Sequence, residues 1–213
     1  MIKFAIILLY LFLIFLISAV YKKYNENNRE FVRKIIHIGI GPIIPIAQFL
    51  EIDQIAALIF TGIISFLVLI NYTYKIFPTI EDVERKSYGT LFYCLSLFIL
   101  IWLYWNKDPY ALITGFFIMT FGDGLAGLIG RSINSKSWIF FKQKKSLFGT
   151  ITMFLTSLIV VSSLGYTQEF SFNLNYFMIA FIDTFLEQFS ILGIDNLIVP
   201  ITTALFYNFY VTN

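Results

Sequence analysis

Long apolar stretches recur along the whole chain, and they constrain its fold more than any single motif does. Most are about 17 to 21 residues long, the length a helix needs to cross about 30 Å of hydrocarbon. A transmembrane barrel would instead need alternating strands of about ten residues, and that alternation is absent from the sequence. The 213-residue chain is 58% hydrophobic and 13% charged, which is too apolar for a soluble domain. We therefore expect an all-α, polytopic integral membrane protein with a single transmembrane domain over residues 1–213.

The apolar stretches predict about eight membrane segments. Their approximate bounds are 3–20, 35–50, 54–71, 89–105, 110–130, 148–165, 174–192 and 197–211. The second segment is short and contains Gly41, Pro42 and Pro45, so we expect a broken or partly re-entrant helix whose freed backbone groups bond to neighbouring protein. The seventh carries Asp183 and Glu187, which share one helical face. Of the two, we expect Glu187 at a functional site because it lies nearer the charged loops.

The basic residues are concentrated in alternate loops, and this pattern predicts the orientation. Thirteen of the fifteen Lys and Arg residues follow the first, third and fifth segments. Cytoplasmic loops carry such an excess, so these loops should face the cytoplasm and both termini the outside. The first twenty residues could instead be a cleaved signal peptide, since Ser18-Ala19-Val20 is a small-residue stretch. The long apolar run and the cations that follow it favour a retained helix.

Asp123 lies inside or at the edge of the fifth segment. An ionisable group at membrane depth normally faces a polar cavity and marks a functional site. The predicted topology brings other polar clusters to the same, inner end of the segments. These clusters comprise Arg33, Lys34, His37, Glu81, Asp82, Glu84, Arg85, Lys86, Arg131, Lys144, Lys145, Ser146, Glu187, Asp195 and Asn196. One cytoplasmic pocket could collect them all.

Carboxylates, basic residues and glycines at a membrane surface together indicate phosphate chemistry. Mg²⁺ takes one or two carboxylates plus phosphate oxygens, and Lys or Arg neutralises the remaining charge during transfer. The glycines at positions 122, 124, 127 and 130 allow close backbone approach to phosphate, or alternatively they pack helices. His37 is the only histidine, and it is either a hydrogen-bonded structural group or a contact to phosphate or to an acceptor hydroxyl.

Several familiar motifs can be excluded. Gly122-x-Gly124-x-x-Gly127 matches the dinucleotide fingerprint formally, but it is not the strand-to-helix turn of a βαβ unit. The chain contains no Gly-Lys pair, no HExxH and no GxSxG, which excludes a Walker P-loop, that class of zinc site and a serine-hydrolase elbow. Cys94 is the only cysteine, so an internal disulfide is impossible.

A set of motifs, in order along most of the chain, resembles the polyprenol kinase family, which includes phytol kinase, dolichol kinase and the CTP-dependent diacylglycerol kinase. The set comprises Arg33-Lys34-x-x-His37-x-Gly39, Glu84-Arg85-Lys86-Ser87-Tyr88-Gly89-Thr90, Gly122-Asp123-Gly124-Leu125-Ala126 with Gly130-Arg131, Lys145-Ser146-Leu147-Phe148-Gly149-Thr150, and Glu187 followed by Asp195-Asn196-Leu197-Ile198-Val199-Pro200. The length and compactness are most similar to the bacterial or plastid phytol kinase branch. Two departures are the lack of a glycine soon after Arg131 and the single aspartate before Asn196.

The resemblance implies phosphoryl transfer from CTP, with UTP or ATP as alternatives, to a long isoprenoid alcohol such as phytol or geranylgeraniol. It implies Asp123 and Glu187 as catalytic residues, and Asp123, Glu187, Asp195 and Asn196 as Mg²⁺ ligands. The phosphate-binding residues would be Gly122, Gly124, Gly130, Arg131, Lys145 and Ser146, with Arg85, Lys86 and His37 as further candidates. A helix that starts at Ser146 would aim free amides at phosphate.

The expected partners are a nucleoside triphosphate, the lipid alcohol and membrane lipids, without nucleic acid, in a plasma or photosynthetic membrane. Two other functions stay open. A CDP-lipid synthase would use a similar pattern of residues for cytidylyl transfer, and an ion-coupled transporter would use Asp123 and Glu187 as an ion path.

Overall fold

The computed structural model describes residues 2–25, 28–74, 87–141, 143–171 and 173–212, and it is predominantly helical. The helices are α1 (Ile2–Tyr24), α2 (Arg29–Gly39), α3 (Ile43–Phe49), α4 (Gln54–Tyr74), α5 (Gly89–Tyr104), α6 (Pro109–Phe117), α7 (Gly124–Ser132), α8 (Leu147–Thr167), α9 (Leu174–Glu187) and α10 (Asp195–Tyr207). A π-helical turn, Ile118–Asp123, joins α6 to α7, and a second one, Asn208–Thr212, follows α10. The expectation of an all-α architecture is confirmed apart from one short hairpin.

The hairpin pairs β1 (Ser137–Phe140) with β2 (Gln143–Ser146) in antiparallel register, and it was not predicted. The sequence predicts a cytoplasmic loop here, because five basic residues follow the fifth apolar segment. Trp138, Ile139 and Phe140 are residues that favour strands, and they supply one side of the pair. The hairpin leads directly into α8.

Four helical stretches in the described parts of the chain are long and apolar enough to cross a membrane. They are Ile2–Tyr24, Gln54–Tyr74, Pro109–Ser132 and Leu147–Thr167, and α5 is a shorter apolar helix. Large apolar side chains such as Phe12 on α1 and Ile59 on α4 are about 60% exposed, as expected of lipid-facing positions. These features support a membrane protein, while the number of eight segments stays a prediction.

The break predicted in the second segment is present. α2 ends at Gly39 and α3 begins at Ile43, with Pro42 as its N-terminal flanking residue. The Tyr10 hydroxyl of α1 donates to the carbonyl of Gly39 at 2.7 Å, so a backbone group next to the break is bonded by a neighbouring helix.

The stretch from α6 through the π turn to α7 forms the centre of the molecule. Leu112, Phe116 and Ile118 are fully buried there. In the π turn, the Thr120 hydroxyl donates to the carbonyl of Phe116 at 2.6 Å. The turn ends at Asp123, and π turns of this kind are frequent at functional sites. The central helix therefore delivers Asp123 to the place where α2 packs against α7.

Candidate functional site

A polar cavity of about 660 Å³ lies where α2, α7, the hairpin, α8, α9 and α10 meet. It is lined by five basic and four acidic side chains: Arg33, Lys34, Arg131, Lys144 and Lys145, with Glu30, Asp123, Glu187 and Asp195. These residues come from separate parts of the sequence, so only the fold brings them together. A cavity with both signs of charge suits a phosphorylated ligand and a divalent cation.

One face of α2 supplies the first group of polar residues. Glu30, Arg33, Lys34 and His37 are spaced so that they lie along one side of the helix. Arg33 donates to Glu30 at 2.6 Å, and the guanidinium of Arg131 lies 3.3 Å from the same carboxylate oxygen. Burial raises the pKa of Glu30, but the charges of Arg33 and Arg131 outweigh that effect and hold the pKa below its usual value. Glu30 is therefore a fixed negative charge that orients two arginines.

Lys34 forms a buried ion pair with Asp123. Its Nζ atom donates to the Asp123 Oδ2 atom at 2.7 Å and to the Asp123 backbone carbonyl at 3.0 Å. Lys34 is only 3% exposed. A Cβ atom at Gly127 would lie 2.7 Å from the Cε atom of this lysine, so the glycine makes room for its side chain. Lys34 thus ties α2 to the end of the π turn.

A second carboxylate and lysine pair lies across the cavity. Lys145 on β2 donates to the Glu187 side chain and, at 2.6 Å, to the Glu187 backbone carbonyl. Gln188 holds the other carboxylate oxygen of Glu187 at 2.9 Å. The hairpin also contacts the segment after α9, where Gln143 donates to the Ser190 carbonyl at 2.9 Å. These bonds fix Lys145 against the C-terminal end of α9.

The first residues of α10 complete the wall. Asp195 and Asn196 are 8% and 7% exposed, and Asn196 donates through its Nδ2 atom to the Gly89 carbonyl at 3.0 Å. The Oδ1 atoms of both side chains are buried and have no hydrogen-bond partner among the described residues. Gly193, which has a φ of +86°, turns the chain into α10. Buried polar atoms in proteins normally have a partner, so these two oxygens are available to bind a ligand or a cation.

Tight packing holds α7 against the start of α8. Ser146 is the N-cap of α8 and accepts from the Gly149 amide at 3.2 Å, as expected for a helix that begins there. A Cβ atom at Gly130 would lie 2.6 Å from the Ser146 Oγ atom, so a small residue is needed at this contact. Arg131 follows directly, and its side chain is 56% exposed, which leaves the guanidinium able to reach a ligand.

The structure brings together most of the predicted site residues but not all of them. Asp123, Glu187, Asp195, Asn196, Gly130, Arg131, Lys145 and Ser146 line the polar cavity. Arg85 and Lys86 lie outside the described residues. Asp183 is fully buried away from the cavity and accepts from Thr203 at 2.6 Å, in line with the expectation that Glu187, and not Asp183, belongs to the site.

Gly122 and Gly124 do not line the polar cavity, and their assignment as phosphate-binding residues stays a prediction. A Cβ atom at Gly122 would lie 2.8 Å from the sulfur of Met153 on α8, and one at Gly124 would collide with Ile38 on α2. Their small size therefore serves helix packing, the alternative that the sequence left open. The sequence could not separate these two glycines from Gly130 because all three lie within one run.

His37 has mainly a structural environment. Its Nε2 atom lies 3.1 Å from the Met119 carbonyl, which can only accept, so this nitrogen carries the hydrogen. The same atom lies 3.3 Å from the Asp123 Oδ2 atom. The ring lines a second, apolar cavity and not the polar one. Because His37 lines the apolar cavity, its position favours contact with the hydroxyl of an acceptor substrate over contact with phosphate.

Lys34 belongs to the predicted polar cluster, but the sequence did not assign it a role in the site. The available signal was the spacing of Glu30, Arg33, Lys34 and His37, which predicts one polar helical face. The sequence also did not indicate Gln143 and Ser190, whose contact depends on the unpredicted hairpin.

Among the residues that the structure describes, no three His, Cys, Asp or Glu side chains form a group that could hold a metal ion by themselves. A magnesium ion in such a site would need ligands from a substrate as well. Mg²⁺ commonly takes only one or two carboxylates and completes its shell with phosphate oxygens and water. The unpartnered oxygens of Asp195 and Asn196 fit that kind of site.

The known proteins that this chain resembles include a phytol kinase, probable phytol kinases and a farnesol kinase. The chain is 36% identical to a phytol kinase from Synechocystis over 202 residues, which cover 92% of this chain and 86% of that protein. It is 27% identical to a probable chloroplastic phytol kinase 3 from Glycine max over 84% of this chain and 62% of the relative. It is 26% identical to a chloroplastic farnesol kinase from Arabidopsis thaliana over 84% of this chain and 64% of the relative. No family model matches, and no solved structure matches significantly.

Proposed function

The chain belongs to the phytol kinase family, and on that premise we propose that it phosphorylates a membrane isoprenoid alcohol with a nucleoside triphosphate. The observation that carries the proposal is the polar cavity, in which two lysine and carboxylate pairs and two unpartnered oxygens meet at the ends of apolar helices. A phosphoryl donor needs such a charged site, and a lipid acceptor needs adjacent apolar helices. The polar cavity supplies the charged site, and the helices whose ends meet there supply the apolar surface.

The proposed reaction is a direct transfer. The alcohol oxygen forms a bond to the γ-phosphorus while the bond from that phosphorus to the β,γ-bridging oxygen breaks. The hydroxyl proton passes to water, directly or by way of the Asp123 carboxylate, and the products are a prenyl monophosphate and a nucleoside diphosphate. In such transfers the protein mainly positions the reactants and stabilises charge on the phosphoryl oxygens.

The basic residues of the cavity would bind the triphosphate. Arg131 has an exposed guanidinium, and Lys145 and Ser146 stand at the entry to α8. Arg and Lys stabilise the charge that develops on phosphoryl oxygens during transfer. Lys34 lines the same cavity, but its ammonium group is buried in the ion pair with Asp123 and would hold that carboxylate in position.

The carboxylates would divide between positioning and metal binding. When bound, Mg²⁺ would neutralise part of the charge on the phosphate oxygens. Asp195 and Asn196 would hold it, since each has a buried oxygen without a partner. Asp123 and Glu187 remain candidate ligands, and Asp123, which lies beside His37 and Lys34, would also orient the acceptor hydroxyl.

The donor and the topology are finer parts of the same proposal. CTP is the donor that the motif resemblance implies, and UTP or ATP would be accepted less well. We also propose eight membrane segments with the cavity at the cytoplasmic face, because the helix ends that meet there adjoin the cation-rich loops. Nucleotide would then arrive from the cytoplasm, in a plasma or photosynthetic membrane, while the alcohol arrives from the bilayer.

Labelled CTP tests this proposal against its nearest rival. Purified protein in detergent or liposomes would receive phytol or, in a parallel reaction, phosphatidate, together with Mg²⁺ and CTP labelled on either the γ- or the α-phosphate. The kinase reaction places γ-label in the lipid product and leaves α-label in CDP. A CDP-lipid synthase would place α-label in the lipid and release γ-label as pyrophosphate, which would overturn the proposal.

The same preparation separates a kinase from a transporter. An ion-coupled transporter would show solute flux in liposomes without nucleotide and would not consume CTP. A panel of CTP, UTP and ATP against phytol, geranylgeraniol and farnesol would then define the donor and the acceptor. Phosphorylation of none of these alcohols by any of the nucleotides would contradict the proposed activity.

A further inference from the structure

A second cavity of about 210 Å³ lies among α1, α2, α3, α4 and α5, and its wall is almost wholly apolar. Side chains that line it include Leu11 of α1, Ile64 and Val68 of α4, and Leu97 of α5. The outer faces of α1 and α4 carry exposed apolar side chains, so a single layer of helices separates the cavity from the bilayer. The site described above does not use this space.

The apolar cavity adjoins the polar one. Arg33 and Asn196 line both of them. His37 lines the apolar cavity, and its Nε2 atom lies 3.3 Å from the Asp123 carboxylate, which lines the polar cavity. A molecule in the apolar cavity would therefore present its polar end beside Asp123, at the point where the two spaces meet.

Trp105 and Ala57 line the far end of the apolar cavity. Trp105, at the end of α5, is 3% exposed and donates through its indole nitrogen to the Ile52 carbonyl at 3.1 Å. Ala57 of α4 is also buried at this end. From Gly89 at the junction to Trp105, α5 rises about 24 Å at 1.5 Å per residue. This is most of the roughly 30 Å of bilayer hydrocarbon, so the cavity suits one long, unbranched or methyl-branched chain.

We infer that this cavity holds the isoprenoid chain of the acceptor, with the hydroxyl at the junction of Arg33 and Asn196, and that the wall at Trp105 and Ala57 sets the longest chain that fits. The inference rests on the proposed function for the identity of the occupant. A single chain fits the narrow apolar space, and the adjoining charged cavity calls for an occupant with one polar end. A diacyl lipid would have to place a second chain elsewhere.

Photolabelling tests the location without any need for catalysis. A phytol analogue with a diazirine at the chain terminus and an alkyne handle would be irradiated with the unmodified protein, and adducts would be mapped by mass spectrometry. We expect adducts near Ile52, Ala57 and Trp105 that unlabelled phytol removes. Adducts restricted to lipid-facing positions such as Ile59 would overturn the inference, as would competition by diacylglycerol but not by phytol.

Alcohols of different chain length test whether the wall at Trp105 and Ala57 limits the length of the bound chain. Ala57→Phe fills the far end of the cavity, and we expect the KM for phytol to rise about tenfold while the KM for farnesol changes less than about twofold. Ile59→Phe adds an aromatic ring to the lipid-facing side of the same helix and should leave both values unchanged. Equal changes in the KM for both alcohols would contradict a wall that limits chain length. If phytol competed with the photolabel but no alcohol were phosphorylated, the proposed kinase activity would be refuted and the binding site would stand.

Discussion

Lys34 and Asp123 form an ion pair of 2.7 Å that joins α2 to the end of the π turn, 89 residues further along the chain. The lysine is almost fully buried, and the same ammonium group also holds the Asp123 backbone carbonyl. Each charge therefore depends on the other for its compensation, because an unpaired charge in such a place is costly. The pair fixes the carboxylate next to His37, at the junction of the two cavities.

We predict that Lys34→Met destabilises the protein by about 3 kcal/mol because it leaves the Asp123 carboxylate without its buried partner. Thermal unfolding in detergent would measure the effect. The double variant Lys34→Met with Asp123→Asn removes both charges and should recover most of the stability but none of the activity. If the single and double variants were equally unstable, the ion pair would not be the cause.

Asp123→Asn alone should abolish turnover by at least about a hundredfold while the protein still inserts and folds. Asparagine keeps the size of the side chain and can still accept a hydrogen bond from Lys34, but the buried ammonium group loses its counter-charge. This variant should therefore also be destabilised by about 3 kcal/mol, and its activity is measured below its unfolding temperature. Steady-state phosphorylation of phytol would measure the loss.

The same substitution at Asp183 is a matched control for that experiment. Asp183 is buried between α9 and α10, bonded to Thr203, and does not line the polar cavity. Asp183→Asn should therefore keep activity within about tenfold, because an amide oxygen can replace the carboxylate oxygen as acceptor. Near-normal phosphorylation by Asp123→Asn would remove Asp123 from the reaction.

The helical class and much of the site could be predicted from the sequence, since both follow from local patterns. Apolar stretches of membrane length predict helices, and the break near Pro42 follows from the loss of a backbone donor. Asp123 and Asp195 are charges in or beside apolar stretches, which mark a site whatever the fold. Ser146 has the residue type and position of a helix N-cap.

Other parts of the site depend on contacts that local patterns do not contain. Gly122, Gly124 and Gly130 belong to one glycine-rich run, but they point toward Met153, Ile38 and Ser146 respectively. Only the packing of α7 against α2 and α8 decides which glycine faces the cavity. The pairing of Lys145 with Glu187 likewise depends on a short hairpin whose strands are too brief to stand out from a loop.

Lys145→Ala should weaken nucleotide binding by about tenfold, because a charge-assisted contact to phosphate is worth about 1.5 to 3 kcal/mol. Isothermal titration of the purified protein with CTP and Mg²⁺ would give the dissociation constant. Lys136→Ala serves as the control, since Lys136 lies just before the hairpin and does not line the polar cavity. A CTP titration of Lys145→Ala that matches the unmodified protein would exclude this lysine from the nucleotide site.

Asp195→Asn should raise the Mg²⁺ concentration needed for half-maximal activity by about tenfold, because the substitution replaces a charged oxygen ligand by a neutral one. The thermal stabilisation that CTP confers should show the same shift in its dependence on Mg²⁺, since a ligand that binds only the folded state stabilises it. Asp183→Asn is again the control and should leave both Mg²⁺ titrations unchanged. The buried oxygens of Asp195 and Asn196 have no hydrogen-bond partner in the described chain, so a cation bound there would compensate both of them. If the Mg²⁺ dependence of Asp195→Asn equalled that of the unmodified protein in both measurements, the metal would bind elsewhere, and Asp123 with Glu187 would be the next pair to test.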